Sequence, residues 1–103
     1  MGERIMKIGT IVRLKRECME NPAGTLGVVF YDYGDGFQAI FENGNYDGFS
    51  TVNRMSMDSQ ETEADCFLET VGFEPSLAGY QFRSVIQVEA DFSNGVFDKV
   101  WRK

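Results

Sequence analysis

The 103-residue chain contains no histidine. That removes the usual imidazole general base, the side chain that changes charge near neutral pH and the commonest metal ligand. Cysteine is scarce. Cys18 and Cys66 stand far apart and form no C-x-x-C motif. A single bridge between them is formally open, but two thiols without a secretory signal read as reduced. No apolar run approaches the ~18 residues of a membrane-spanning helix. The opening Met1-Gly2-Glu3-Arg4-Ile5 has neither the apolar stretch of a signal peptide nor the Ser/Thr of a myristoylation signal. The expected setting is cytoplasmic, with no membrane partner.

Positive charge is also short. Ten Lys and Arg face sixteen Asp and Glu, a net charge of −6. Residues 1–57 carry six basic and seven acidic side chains, and residues 58–103 carry four and nine. The second half therefore holds nearly all of the excess. Such a field repels phosphate backbones and anionic lipid, so nucleic acid is an unfavoured partner and a basic protein a favoured one.

What is present suits one packed domain. Hydrophobic residues make up 43%, with nine Phe, four Tyr and one Trp, in a chain of common domain length. Thr10 to Arg16 alternates, with Val12 and Leu14 on one face and Arg13 and Lys15 on the other, which predicts a half-buried strand. After a Pro/Gly loop, Thr25 to Tyr33 predicts a second strand that is apolar on both faces. Leu26, Val28 and Phe30 share one parity, Val29, Tyr31 and Tyr33 the other. Gly34-Asp35-Gly36 predicts a tight turn into a third strand, Phe37 to Glu42. Asn43-Gly44 predicts a type I′ hairpin, which needs positive φ at both central residues, into a fourth strand, Asn45 to Thr51. The acidic run 58–66 reads as a loop with one helical turn, and Phe67 to Gly72 as a fifth strand.

The C-terminal segment has helical period. Val85, Val88, Phe92, Val96 and Val100 form a stripe, adjoined by Ile86, Ala90, Phe97 and Trp101. Gln87, Asp91, Asn94, Asp98 and Arg102 fall opposite. Ser84 and Gln87 fit a capping box. Asn94-Gly95 costs about 1 kcal/mol inside a helix and is the natural point for a break into two elements. A strand over Tyr80–Val88 is the competing reading, since Tyr80, Phe82, Ile86 and Val88 share a parity.

The segments Ile8-Gly9-Thr10-Ile11-Val12-Arg13-Leu14 and Asn21-Pro22-Ala23-Gly24-Thr25-Leu26-Gly27-Val28-Val29 resemble the opening strands of an SH3-like β-barrel of the KOW type, and the whole resembles small bacterial or phage proteins. The resemblance covers about half the chain. It implies a five-stranded SH3-like barrel over about 7–72; the C-terminal segment is not part of that barrel, and with the amphipathic helix that its period predicts over about 84–102 the expected fold is mainly β (α+β), in one domain spanning 1–103. It implies no particular activity, because such barrels serve ribosomal, transcriptional and protein-docking roles alike.

Motifs for chemistry are missing. There is no G-x-S-x-G or S-x-x-K pattern, and the order of Asp32, Asp35, Glu42 and Asp47 does not match a calcium loop. The glycines fit hairpins rather than a phosphate loop. Cys18, next but one to Arg16, is the one thiol with a nearby cation, and it reads as an ordinary thiol. No catalytic residue, cofactor or metal is therefore expected. The expected function is a non-enzymatic protein-interaction module, a small regulator or inhibitor offering an acidic surface. Its candidate interface is Tyr31, Tyr33, Phe37, Tyr46 and Phe49 with Glu61, Glu63 and Asp65. The alternative is a nucleic-acid- or ribosome-associated barrel using a basic edge of Arg13, Lys15 and Arg16, with Tyr31 and Tyr33 beside it. The doubly apolar second strand carries one further expectation. Leu26, Val28 and Phe30 fill the barrel, while the tail of the chain covers the Val29/Tyr31/Tyr33 side.

Overall fold

The computed structural model describes residues 6–52 and 62–102. Five strands, β1 (Thr10–Leu14), β2 (Leu26–Asp32), β3 (Gly36–Phe41), β4 (Tyr46–Ser50) and β5 (Leu68–Phe73), fall where alternation and turn chemistry place them. They form one antiparallel sheet in the order β4-β3-β2-β1-β5. A short helix, α1 (Glu63–Phe67), precedes β5, capped by the Thr62 hydroxyl accepting from the Asp65 N–H. The sheet is not closed: β4 and β5 are its two edges. Instead, α1 packs against both of them, spanning the gap that a barrel would close with hydrogen bonds.

Two of the turns differ from the sequence reading in an instructive way. Gly44 has φ +93°, but Asn43 stays outside the left-handed region, so this loop is a longer hairpin with one glycine in that region. Two successive positive φ values occur instead at Met19 and Glu20, between Cys18 and Asn21, which exchange two backbone hydrogen bonds of 2.9 Å. The Met19 carbonyl accepts from the side-chain amides of Asn45 (3.0 Å) and Asn21 (3.4 Å). Those amides hold a turn that neither Met nor Glu favours on its own.

Both faces of the sheet are covered. One carries Val12, Leu14, Val29, Phe37, Ala39, Phe41 and Phe49, packed with Ala64 and Leu68. The other carries Val28, Phe30 and Ile40, packed with Leu77 and with Val88, Phe97 and Val100 of the tail. The tail does lid a sheet face, but the opposite one from that expected. Val28 and Phe30 lie under it, while Val29 faces the Phe37/Phe49 side. Alternation could not decide this, because β2 is apolar on both faces. A bulge settles where Tyr31 goes: the register shifts between Val29 and Tyr31, so Tyr31 joins Phe30 on the tail side.

The tail itself is two helices, not one helix and not a strand. Residues 80–84 have no regular secondary structure and no sheet pairing. Then α2 (Val85–Ser93) begins, with the Ser84 hydroxyl accepting from the Gln87 N–H at 3.1 Å. The Gln87 side chain reaches back one residue further than a capping box requires, to the Arg83 N–H. Gly95, at φ +83°, ends the helix. Its N–H donates to the Phe92 carbonyl and that of Val96 to the Asp91 carbonyl, the paired bonds of a Schellman motif. The short helix α3 (Asp98–Trp101) follows. Of the predicted stripes, Val88, Phe97 and Val100 are buried, whereas Val85, Val96 and especially Ile86, 79% exposed, are not.

Candidate interaction surface

The sequence-predicted site residues do not gather at one place. Phe37 and Phe49 are 0% and 1% exposed and stack on each other at 5.9 Å. They are core and are withdrawn from any interface. They lie on the sheet face that also carries Val12, Leu14 and Val29. Glu61 lies outside the described residues. Tyr46 is half-buried under α2, its hydroxyl donating to Glu89 at 3.3 Å. Burial, and then the Glu89 carboxylate, push its hydroxyl pKa up.

Glu63 has a different job. Its Oε1 accepts from the Ser50 N–H at 3.0 Å, and Asp47 Oδ1 accepts from the Gly48 N–H at 2.8 Å. The Thr51 N–H points into the sheet, toward Asp35, so by alternation the Ser50 and Gly48 N–H groups point out. Two carboxylates thus occupy outward donors of the β4 edge, a place where sheets otherwise invite another strand. Asp65 sits beside Glu63 in the first turn of α1.

What remains of the aromatic candidate set is Tyr31 and Tyr33, and they have a neighbour that the sequence reading missed. Phe82, in the irregular segment before α2, lies 4.9 Å from Tyr31 and 5.4 Å from Phe30. Tyr33 continues the series at 6.2 Å from Tyr31 and is 44% exposed. A side chain at Gly36 or Gly48 would meet the Tyr33 hydroxyl within 3.0 Å. The Tyr33 ring therefore reaches across β3 and β4 on bare backbone, and those glycines make the room. The result is a staircase of rings rising from the core at Phe30 to the surface at Tyr33. Its signal in the sequence was the shared parity of Tyr80 and Phe82, read there as a strand.

The basic edge also changes. The Arg13 guanidinium binds Glu69 across the β1–β5 pair, with nitrogen–oxygen distances of 2.7 and 2.8 Å. Arg16 lies over the Phe67 ring at 5.5 Å, and Lys7 over the Phe73 ring at 5.9 Å. Arg13 pairs with Leu26, so Tyr31 stands five residues along β2, roughly 17 Å away at strand rise. The tyrosines are not beside the basic edge.

Cys18 packs against the Phe37/Phe49 core. Burial first, then the Asp47 and Glu63 carboxylates, raise its thiol pKa. This is the reverse of activation by Arg16, since a nucleophilic cysteine needs the thiolate. Among the described residues no group of three or more Cys, Asp or Glu side chains is arranged to hold a metal ion. Likewise no described helix is long and apolar enough to cross a membrane. Comparison with known proteins finds no matching family model, no matching curated protein and no matching solved structure.

Proposed function

We propose that the chain is a non-enzymatic protein-interaction module of SH3-like architecture that docks a basic partner on the Tyr33–Tyr31–Phe82 staircase. The strand order β4-β3-β2-β1-β5, with a short helix before the last strand, supports the architecture. The observation that carries the function is Tyr33, a large aromatic ring spread over two glycines at the surface of an otherwise filled fold. Tyrosine anchors interfaces well, because it is rigid and has both an apolar face and a polar tip. Asp35 stands in the adjoining turn, and the −6 net charge steers cations toward the surface. Arginine suits this best, since its guanidinium stacks on tyrosine faces.

The nucleic-acid reading draws on Arg13, Lys15 and Arg16. It is weakened because Arg13 is committed to Glu69 and no tyrosine adjoins the edge.

The test is an NMR titration with an arginine-rich decapeptide, following the aromatic signals of Tyr31, Tyr33 and Phe82. The reading expects saturable shifts at these rings that Tyr33→Ala abolishes. Shifts spread evenly over all acidic residues would contradict it.

A further inference from the structure

The two sheet edges are treated unequally. On β4, carboxylates occupy the outward N–H groups of Gly48 and Ser50. On β5, only Leu68 is buried, and Val71 and Phe73 are 40% and 43% exposed. The direction of the β5 backbone groups follows from its ends. The Phe67 carbonyl accepts from the Lys15 N–H, so Phe67 faces β1, and by alternation Thr70 faces away. The Leu68 N–H is already satisfied by the Ala64 carbonyl. Among the described residues no backbone partner meets the outward side of β5 from Thr70 to Phe73.

Cations stand at both ends of this edge. Lys7 sits over Phe73 at one end, and Arg16 over Phe67 at the other. Lys15 is exposed on β1's continuation. The acids that belong to the strand are already engaged. Glu69 is bound by Arg13, and Glu74, just past the strand, accepts from the Ser76 hydroxyl and N–H at 2.7 and 3.1 Å. These bonds, with help from Lys99, hold the Glu74 carboxyl below its usual range.

We propose that β5 is a second docking site, where an extended acidic segment of a protein partner adds as a sixth, hydrogen-bonded strand with its carboxylates toward Lys7 and Arg16. The cations bracket about six residues, roughly 20 Å of strand, so the segment carries acids about that far apart. Apolar side chains between them cover Val71 and Phe73. Backbone pairing supplies the affinity and the flanking charges set the direction and register. A peptide is favoured over a polynucleotide because the outward groups of β5, which meet no backbone partner among the described residues, are donors and acceptors in strand geometry. The bulge near Val71 limits which registers fit, which adds selectivity. This site is separate from the tyrosine staircase and does not depend on it.

The experiment uses the full chain and a synthetic octapeptide of alternating Glu and Val, with an alternating Lys and Val octapeptide and an oligothymidine as comparators. Amide exchange is read residue by residue. The proposal expects the Glu/Val peptide to slow exchange of the Thr70 N–H by about tenfold or more, with shifts at Lys7 and Arg16, and the Lys/Val peptide to do neither. Thr70→Pro, which an edge strand tolerates at an outward N–H, abolishes binding, and Arg16→Glu weakens it about tenfold while leaving the fold's exchange pattern intact. Three results would overturn the proposal: a Thr70 N–H already protected without peptide, no protection by the Glu/Val peptide, or preferential binding of the oligothymidine along Lys7, Lys15 and Arg16. Shifts confined to Tyr31 and Tyr33 would overturn it while leaving the staircase reading standing.

Discussion

The Tyr80 hydroxyl donates to the Asp91 carboxylate at 2.6 Å, and the same oxygen, Oδ2, accepts from the Gln87 amide at 3.2 Å. This joins the irregular segment that leaves the 3-10 turn Pro75–Leu77 to α2. Tyr80 also packs edge-on to Phe30 and close to Phe97. Hydrogen bonds to a charged acceptor are among the stronger ones. Replacing Tyr80 by Phe is expected to cost about 1–2 kcal/mol in urea unfolding. Burial, then Asp91, raise the Tyr80 hydroxyl pKa. A neutral acid whose folded pKa is raised contributes stability that is complete below the unfolded tyrosine value and lost as pH rises through the folded one. Stability should therefore fall in the alkaline range above about pH 10, and Tyr80→Phe should flatten that fall. An unchanged alkaline profile in the variant would show that this bond does not hold the tail.

Gly27 marks a second close approach. It pairs with Val12 and Phe41, and a Cβ there would stand 2.6 Å from the Phe41 ring and 2.9 Å from the Ile40 carbonyl. Backbone cannot yield cheaply, and Phe41 is fully buried. Gly27→Ala is expected to destabilise by about 1–3 kcal/mol through overpacking, visible as a lower midpoint in thermal unfolding. A neutral result would mean that β2 and β3 do not run as closely as their register requires.

The carboxylate on the β4 edge gives another prediction. Glu63→Ala leaves the Ser50 N–H without its acceptor and costs about 0.5–1.5 kcal/mol. Hydrogen exchange at Ser50 should accelerate, and concentrated samples should begin to self-associate through β4. Exchange at Ser50 that is no faster in the variant would remove Glu63 from this role.

The sequence made the strands legible because each is bounded by a turn whose residues have a local reason to bend, as at Gly34 and Gly44. It made the tail legible for the same kind of reason: Ser84 caps, Gly95 stops, and the period between them is helical. Three things were hidden. The face of β2 that meets the tail could not be read from a strand apolar on both sides. The bulge that swings Tyr31 beside Phe30 has no composition of its own. The turn at Met19 and Glu20 is held by the side-chain amides of Asn21 and of the distant Asn45 rather than by the preference of Met or Glu. The candidate surface suffered most: Phe37 and Phe49 lie in the core on the face shared with Val12 and Leu14, and Phe82 belongs to a segment whose parity suggested a strand that does not form.

The tail is the cover of the Val28/Phe30/Ile40 face. A chain ended after Gly79 tests this most directly, read by sedimentation and thermal unfolding against the full chain. Removing Val88, Phe97 and Val100 exposes Phe30 and Ile40, both of which are now 1% exposed or less. The shortened chain is expected to aggregate or to unfold well below the full-length midpoint. A shortened chain that stays monomeric and melts at the same temperature would contradict the account.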